Sequence, residues 1–207
     1  VTAGKTIFHQ VCFISENYLR KDGRCSLMTQ INIEIKARCN NPDEIREILK
    51  SENAEYKGLD HQIDTYFKVS HGRLKLREGN IENNLIYYER ENEKGPKQSN
   101  IILCTTAPHS QIKEILEKSL GIIAVVDKQR EIYFIGNMKF HIDEVKDLGS
   151  FVEIEAIDKY GTRGIEKLTE QCNHYLNLFK IKKDDLIDVS YSDMILRNFK
   201  KDRKLKN

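Results

Sequence analysis

The segment Ile31-Asn32-Ile33-Glu34-Ile35-Lys36-Ala37-Arg38 alternates apolar and polar side chains without a break. Successive side chains of a strand point to opposite faces, so the pattern predicts a strand with one apolar and one charged face. Asn41-Pro42-Asp43 follows at once. Asn is a good N-cap and Pro fits the first helical position, so a helix is predicted to start there and to run to about Glu52.

Working outward, further strands are predicted at roughly 60–70, 72–79, 84–92 and 99–106, with turns at Gly72, Gly79 to Asn84 and Gly95-Pro96. Pro108 to about Leu120 reads as a second helix, with Ile112, Ile115, Leu116 and Leu120 on one face. Three more strands fit 122–135, 138–145 and 150–158. A long helix fits 162–179, its buried stripe formed by Ile165, Leu168, Cys172, Tyr175, Leu176 and Phe179, and a short helix follows Ser190. Short turns between strands make neighbours antiparallel. The order is not a repeating strand–helix alternation, which excludes a doubly wound sheet. The predicted fold is α+β, mainly β: a closed eight-stranded antiparallel barrel with flanking helices.

The chain has 207 residues, of which 39% are hydrophobic and 32% charged, with a formal net charge of +2. That length suits one domain able to bury its own core. Residues 1–29 lack a sustained period and read as a poorly ordered extension, 30–198 as the single domain and 199–207 as a charged tail. The balanced charge argues against a nucleic-acid binder. The longest apolar stretch ends at Asp127, which leaves no membrane-spanning helix. The N-terminal residues lack a signal-peptide core, and the 5 cysteines (12, 25, 39, 104, 172) form no C-x-x-C, so a cytoplasmic location with reduced thiols is expected. Cys104 and Cys172 lie in apolar patterns and read as buried packing.

Charge recurs at period two on strand after strand. Arg73, Lys75 and Arg77 share a face, as do Lys128 and Arg130, His141 and Asp143, and Glu153 and Glu155. A solvated sheet face would account for any one of these strands. The set is different, because like charges gathered on one face repel and destabilise a sheet. Segregated signs suit a cavity that holds a polyphosphate on the basic side and a divalent cation on paired carboxylates. No Gly-rich phosphate loop is present. The six histidines show no metal-ligand spacing, and His61 and His141 read as structural or supporting groups. Tyr66, Tyr87 and Tyr88 could stack on a base but suit core or cross-strand packing better.

These segments resemble the CYTH family, which comprises class IV (CyaB-type) adenylyl cyclases, thiamine triphosphatases and related triphosphate tunnel metalloenzymes. Asn32-Ile33-Glu34-Ile35-Lys36 resembles its E-x-E-x-K signature. HQIDTYF (61–67), GRLKLRE (72–78), LIYYERE (85–91), DKQRE (127–131), HIDEV (141–145) and FVEIE (151–155) continue the likeness in order. The resemblance implies a tunnel that binds a triphosphate. Lys36, Lys75, Arg77, Arg90, Lys128 and Arg130 would contact the phosphates, with Arg73 and Lys97 as further basic contacts. Glu34, Glu153 and Glu155, with Asp143, would hold Mg²⁺ or Mn²⁺. Asp143, Lys36 and Arg130 would take the catalytic roles. Asn32 stands where the signature has its first Glu and removes one negative charge from the metal site.

The implied function is that of a class IV adenylyl cyclase, converting ATP to cyclic AMP and pyrophosphate. The alternative is a triphosphatase acting on tripolyphosphate, thiamine triphosphate or a nucleoside triphosphate. A non-catalytic binder of polyphosphate or nucleotide is the third reading. The implied partner is a small-molecule triphosphate, with no nucleic acid or membrane; both monomer and homodimer remain open.

Overall fold

The computed structural model describes residues 30–205. The expected extension over 1–29 lies outside the described residues. Eight strands, β1 (Gln30–Arg38), β2 (Glu55–Phe67), β3 (Arg73–Gly79), β4 (Asn84–Arg90), β5 (Lys97–Thr105), β6 (Ile122–Ile135), β7 (Met138–Val145) and β8 (Gly149–Asp158), close in the order β1-β5-β4-β3-β2-β6-β7-β8. Every pairing is antiparallel. Two meanders, β2–β5 and β6–β8, are thus sealed on one side by β1 and on the other by the β2–β6 ladder. Closure leaves no free sheet edge.

Two helices lie between strands, α1 (Pro42–Ser51) and α2 (Ile112–Leu120), and two follow the last strand, α3 (Ile165–Leu178) and α4 (Tyr191–Leu205). Asn41 caps α1 as expected, its side chain accepting from the Glu44 amide. The main core lies outside the barrel. Ile33, Ile35 and Ala37 of β1, Phe140 and Ile142 of β7, and Val152 and Ile154 of β8 pack against α1 and α3. Each of these positions alternates with a charged residue on the inner face, so the wall is apolar outside and polar within. A second cluster, with Tyr66, Tyr88, Val126, Phe151 and Tyr191, fills one end of the barrel.

Several boundaries differ from the sequence reading. β2 begins at Glu55 rather than near 60, because its first residues pair with the far end of β6. β4 stops at Arg90, and β5 spans 97–105. α2 begins at Ile112, not Pro108; His109 takes a positive φ of 56° and turns the chain before the helix. Ile115 of α2 is 60% exposed, and Ile165 of α3 is also exposed, so both leave their predicted apolar stripes. Cys172 is buried as expected, whereas Cys104, on an outer face of β5, is exposed. α4 runs to Leu205 and takes in much of the predicted tail. Among the described residues, no helix is long and apolar enough to cross a membrane.

Phe140 is fully buried between β7 and α3, with ring centroids 4.6 Å from Tyr175 and 5.7 Å from Phe179. Phe140→Ala is expected to cost about 3–5 kcal/mol. Urea unfolding should show it as a lower midpoint at an unchanged slope.

Candidate active site

The inner face gathers the charges. Tyr66, Lys75 and Arg77 line the tunnel from β2 and β3, Lys128 and Arg130 from β6, and His141, Glu153 and Glu155 from β7 and β8. Lys36, Arg77, Lys128, Arg130 and Glu153 are all buried. The tunnel cavity measures about 140 Å³.

One carboxylate organises the basic wall. Asp64 of β2 is 1% exposed. It accepts from Lys75 Nζ at 2.9 Å, Lys128 Nζ at 2.7 Å, Arg77 Nε at 2.8 Å and a second Arg77 nitrogen at 3.0 Å. Burial opposes its ionisation, but the charges of Arg77, Lys128 and Lys75 hold it well below the usual carboxylate range. Burial drives Lys128 well below an ordinary lysine against the pull of Asp64. Glu82, in the β3–β4 turn, accepts from Arg77 at 2.8 Å and pairs with Lys139. Three cations around one carboxylate leave an excess of positive charge facing the cavity.

The acidic side lies across β1, β7 and β8. Glu153 pairs with Lys36 and, at 2.8 Å, with Arg130. Glu34 pairs with Arg90 and lies directly opposite Glu155 in the β1–β8 ladder. Burial pushes Glu155 up to about 7, opposed by Lys139 and aided by the like charges of Glu153 and Glu34. His141, Glu153 and Glu155 place one ligand atom each within 4.8 Å of one another. Burial, aided by Arg130 and Lys139, pulls His141 down to about 3, so its ring is neutral at pH 7.

The first turn of α4 reaches into the barrel. Ser190 and Asp193 cap it reciprocally: the Asp193 amide donates to Ser190 Oγ, and the Ser190 amide donates to Asp193 Oδ2, both at 3.1 Å. Tyr191 donates its hydroxyl to Asp143 at 2.8 Å, and Lys36 Nζ sits 3.4 Å from its ring centroid. Ser190 and Tyr191 line the tunnel, while Ser192 and Asp193 line a larger cavity of about 580 Å³ beyond it. A closed antiparallel barrel lined by opposed cationic and anionic groups is now complete.

Residues 30–186 match the CYTH domain family. The chain belongs to the CYTH family. A Methanocaldococcus jannaschii protein named "Putative adenylate cyclase MJ0240" is 26% identical over 174 residues, covering 79% of this chain and 98% of that protein. The PH1012 structure from Pyrococcus horikoshii superposes with a TM-score of 0.67 at 24% identity, over 78% of this chain and 98% of the other. A Hippeastrum structure, titled as a "putative adenylyl cyclase" with a dominant triphosphatase activity, has a TM-score of 0.52 at 13% identity, over 81% and 94% of the two chains. Those two likenesses establish the shared fold.

Within this CYTH barrel, Lys36, Lys75, Arg77, Arg90, Lys128, Arg130, Glu34, Glu153 and Glu155 all line the tunnel. Three expected residues sit elsewhere. Arg73 lines the outer cavity and pairs with Asp193 at 3.1 Å. Lys97 donates to the backbone carbonyls of Glu93 and Ile187, at 3.2 and 2.9 Å, and burial lowers it to about 8. Asp143 does not belong to the His141–Glu153–Glu155 group; its oxygens accept from Arg130 and Tyr191. Asp64, Glu82, Lys139 and Tyr191 went unread as site residues. Asp60, Gln62 and Asp64 alternate on β2 and give a period-two signal for Asp64; Lys139 continues the His141 and Asp143 face. Glu82 in a turn and Tyr191 on a helix carry no local signal.

Asp64→Asn leaves Lys75, Arg77 and Lys128 without their shared anion. Breaking a buried pair in this way costs about 3–5 kcal/mol. Tripolyphosphate should restore more of the melting temperature in this variant than it adds to the wild type; equal shifts would place the anion away from this wall.

Proposed function

We propose that the protein is a metal-dependent enzyme acting on a triphosphate inside the tunnel, as an adenylyl cyclase that converts ATP to cyclic AMP and pyrophosphate. The observation that carries the reading is the segregation of buried charge: Lys75, Arg77 and Lys128 share one carboxylate, and the glutamates gather opposite. Family membership and the name of the M. jannaschii relative support it.

Lys75, Arg77, Lys128 and Arg130 bind the triphosphate oxygens, the arginines in bidentate fashion. Lys36 adds a further cation from β1. Asp143, held by Arg130 and Tyr191, fixes the Arg130 guanidinium in the plane it needs. Glu153 and Glu155, with Glu34 beside them, fit a divalent cation: their donors are hard oxygens, and they lie close together in the buried tunnel, with Glu34 directly opposite Glu155. Mg²⁺ or Mn²⁺ there would stabilise charge on the phosphate oxygens. In the reaction the ribose 3′-hydroxyl loses its proton to water as its oxygen bonds to the α-phosphorus, the bond to the α–β bridging oxygen breaks, and pyrophosphate leaves.

Ile86, Ile101, Leu103 and Ile157 also line the tunnel, beside the amides of Gln30 and Asn84. Apolar walls with a few amides fit a nucleobase better than a bare tripolyphosphate. This supports a nucleotide substrate.

Product analysis tests the reading. ATP with Mg²⁺ or Mn²⁺ should yield cyclic AMP and pyrophosphate. Orthophosphate from ATP or tripolyphosphate would make the protein a triphosphatase; binding without turnover would make it a binder only. Lys75→Ala with Arg77→Ala should weaken triphosphate binding by at least about 100-fold, since each charge-assisted hydrogen bond contributes ~1.5–3 kcal/mol. Calorimetric titration with tripolyphosphate measures it, and unchanged affinity would move the phosphates out of the tunnel.

A further inference from the structure

We propose that His141 is a direct ligand of the tunnel cation, completing with Glu153 and Glu155 a mixed nitrogen–oxygen site that favours first-row transition ions such as Mn²⁺ over Mg²⁺. The proposal rests on the metal-dependent reading of the tunnel and adds to it a ligand and a metal preference.

Geometry comes first. His141 and Glu153 are direct partners across the β7–β8 ladder, and Glu155 lies one pleat further along the same inner face. His141 Nδ1 is 3.2 Å from Glu153 Oε2 and 3.5 Å from Glu155 Oε1. Neighbouring ligands on an ion with bonds of ~2.0–2.2 Å lie roughly 2.8–3.6 Å apart, from octahedral to tetrahedral geometry. His141 Nδ1 therefore already stands at about that spacing from both carboxylates, and the three donors lie within 4.8 Å of one another. Burial is the second observation. His141 is 1% exposed, and its Nε2 is buried without a hydrogen-bond partner. Two polar ring atoms are not placed in a barrel interior for packing alone.

Charge is the third. Among the described residues, Glu155 has no Lys or Arg nitrogen within ion-pair distance, although Lys139 is its partner across the β7–β8 ladder; His141 Nδ1 lies 3.5 Å from it. His141 Nδ1 stands beside both carboxylates with no Lys or Arg nitrogen on Glu155, so one cation could be shared by the three groups. Asn32 explains why a new ligand is called for. It faces inward two residues before Glu34, is 2% exposed, and its side-chain oxygen already accepts from Gln30 at 2.7 Å. It therefore supplies no carboxylate to the site. Replacing an oxygen anion by an imidazole nitrogen shifts a site away from Mg²⁺, which prefers oxygen, toward ions that accept nitrogen.

Pulsed electron paramagnetic resonance of the full chain loaded with Mn²⁺, with and without tripolyphosphate, tests this. The expected result is nitrogen modulation from one directly bound imidazole, changing its frequencies when the wild-type protein carries ¹⁵N-histidine. In His141→Gln the modulation should vanish and Mn²⁺ affinity should fall at least about tenfold, as losses around metal sites do. The affinity for Mg²⁺ should fall less. The labelled wild type makes the nitrogen assignment without depending on a variant that folds. Mn²⁺ that Glu153→Gln displaces, but that shows no histidine nitrogen, would overturn the proposal and leave the metal-dependent reading standing. Mn²⁺ that fails to bind under either condition would overturn both.

Discussion

Charges inside a protein persist only when they are paired and hydrogen-bonded, and this barrel depends on that constraint. Asp64 is the clearest case. A single buried carboxylate lets Lys75, Arg77 and Lys128 converge on one side of the cavity without forcing the strands apart. Arg130 does the same work between walls, bridging Asp143 and Glu153. The pairing is deliberately incomplete on the basic wall, where cations outnumber anions. That excess is what an incoming polyanion would meet.

The packing answers the same constraint from outside. A barrel filled with charge cannot be its own hydrophobic core, so the core moves to the outer surface of β1, β7 and β8, under α1 and α3. Alternation along each strand makes this possible, since one residue in two serves the outer core and the other serves the tunnel. α2 covers its side more thinly, and Ile115 on it is exposed. The end of the barrel is closed differently, by the capped first turn of α4. Tyr191 there joins an apolar cluster through its ring and a charged network through its hydroxyl.

The acidic side reads as a balance among neighbours. Glu34 and Glu153 have cationic partners, whereas Glu155 faces His141. With Asn32 in place of a carboxylate, the proposed metal site gathers Glu153, Glu155 and His141, and a cation there would compete with Lys36 and Arg130 for the Glu153 oxygens. Asp143 receives Arg130 on both of its oxygens and the Tyr191 hydroxyl on one of them.

Much of this was legible in the chain. Alternation on β1, β3 and β8 gave the strands and told inner from outer residues, because strand periodicity is a local property of the backbone. The Asn41-Pro42 start of α1 was local for the same reason. Boundaries at β2 and α2 were not, since the first residues of β2 become strand only through pairing with β6, and the turn at His109 depends on its backbone angle. Charge type predicted the tunnel lining but not the pairs within it. That Asp64 serves three cations, that Lys97 turns to backbone carbonyls, that Glu82 and Tyr191 reach the interior, and that His141 meets two glutamates follow from residues far apart in sequence. Only barrel closure brings them within hydrogen-bonding distance, where burial and charge decide what each can do.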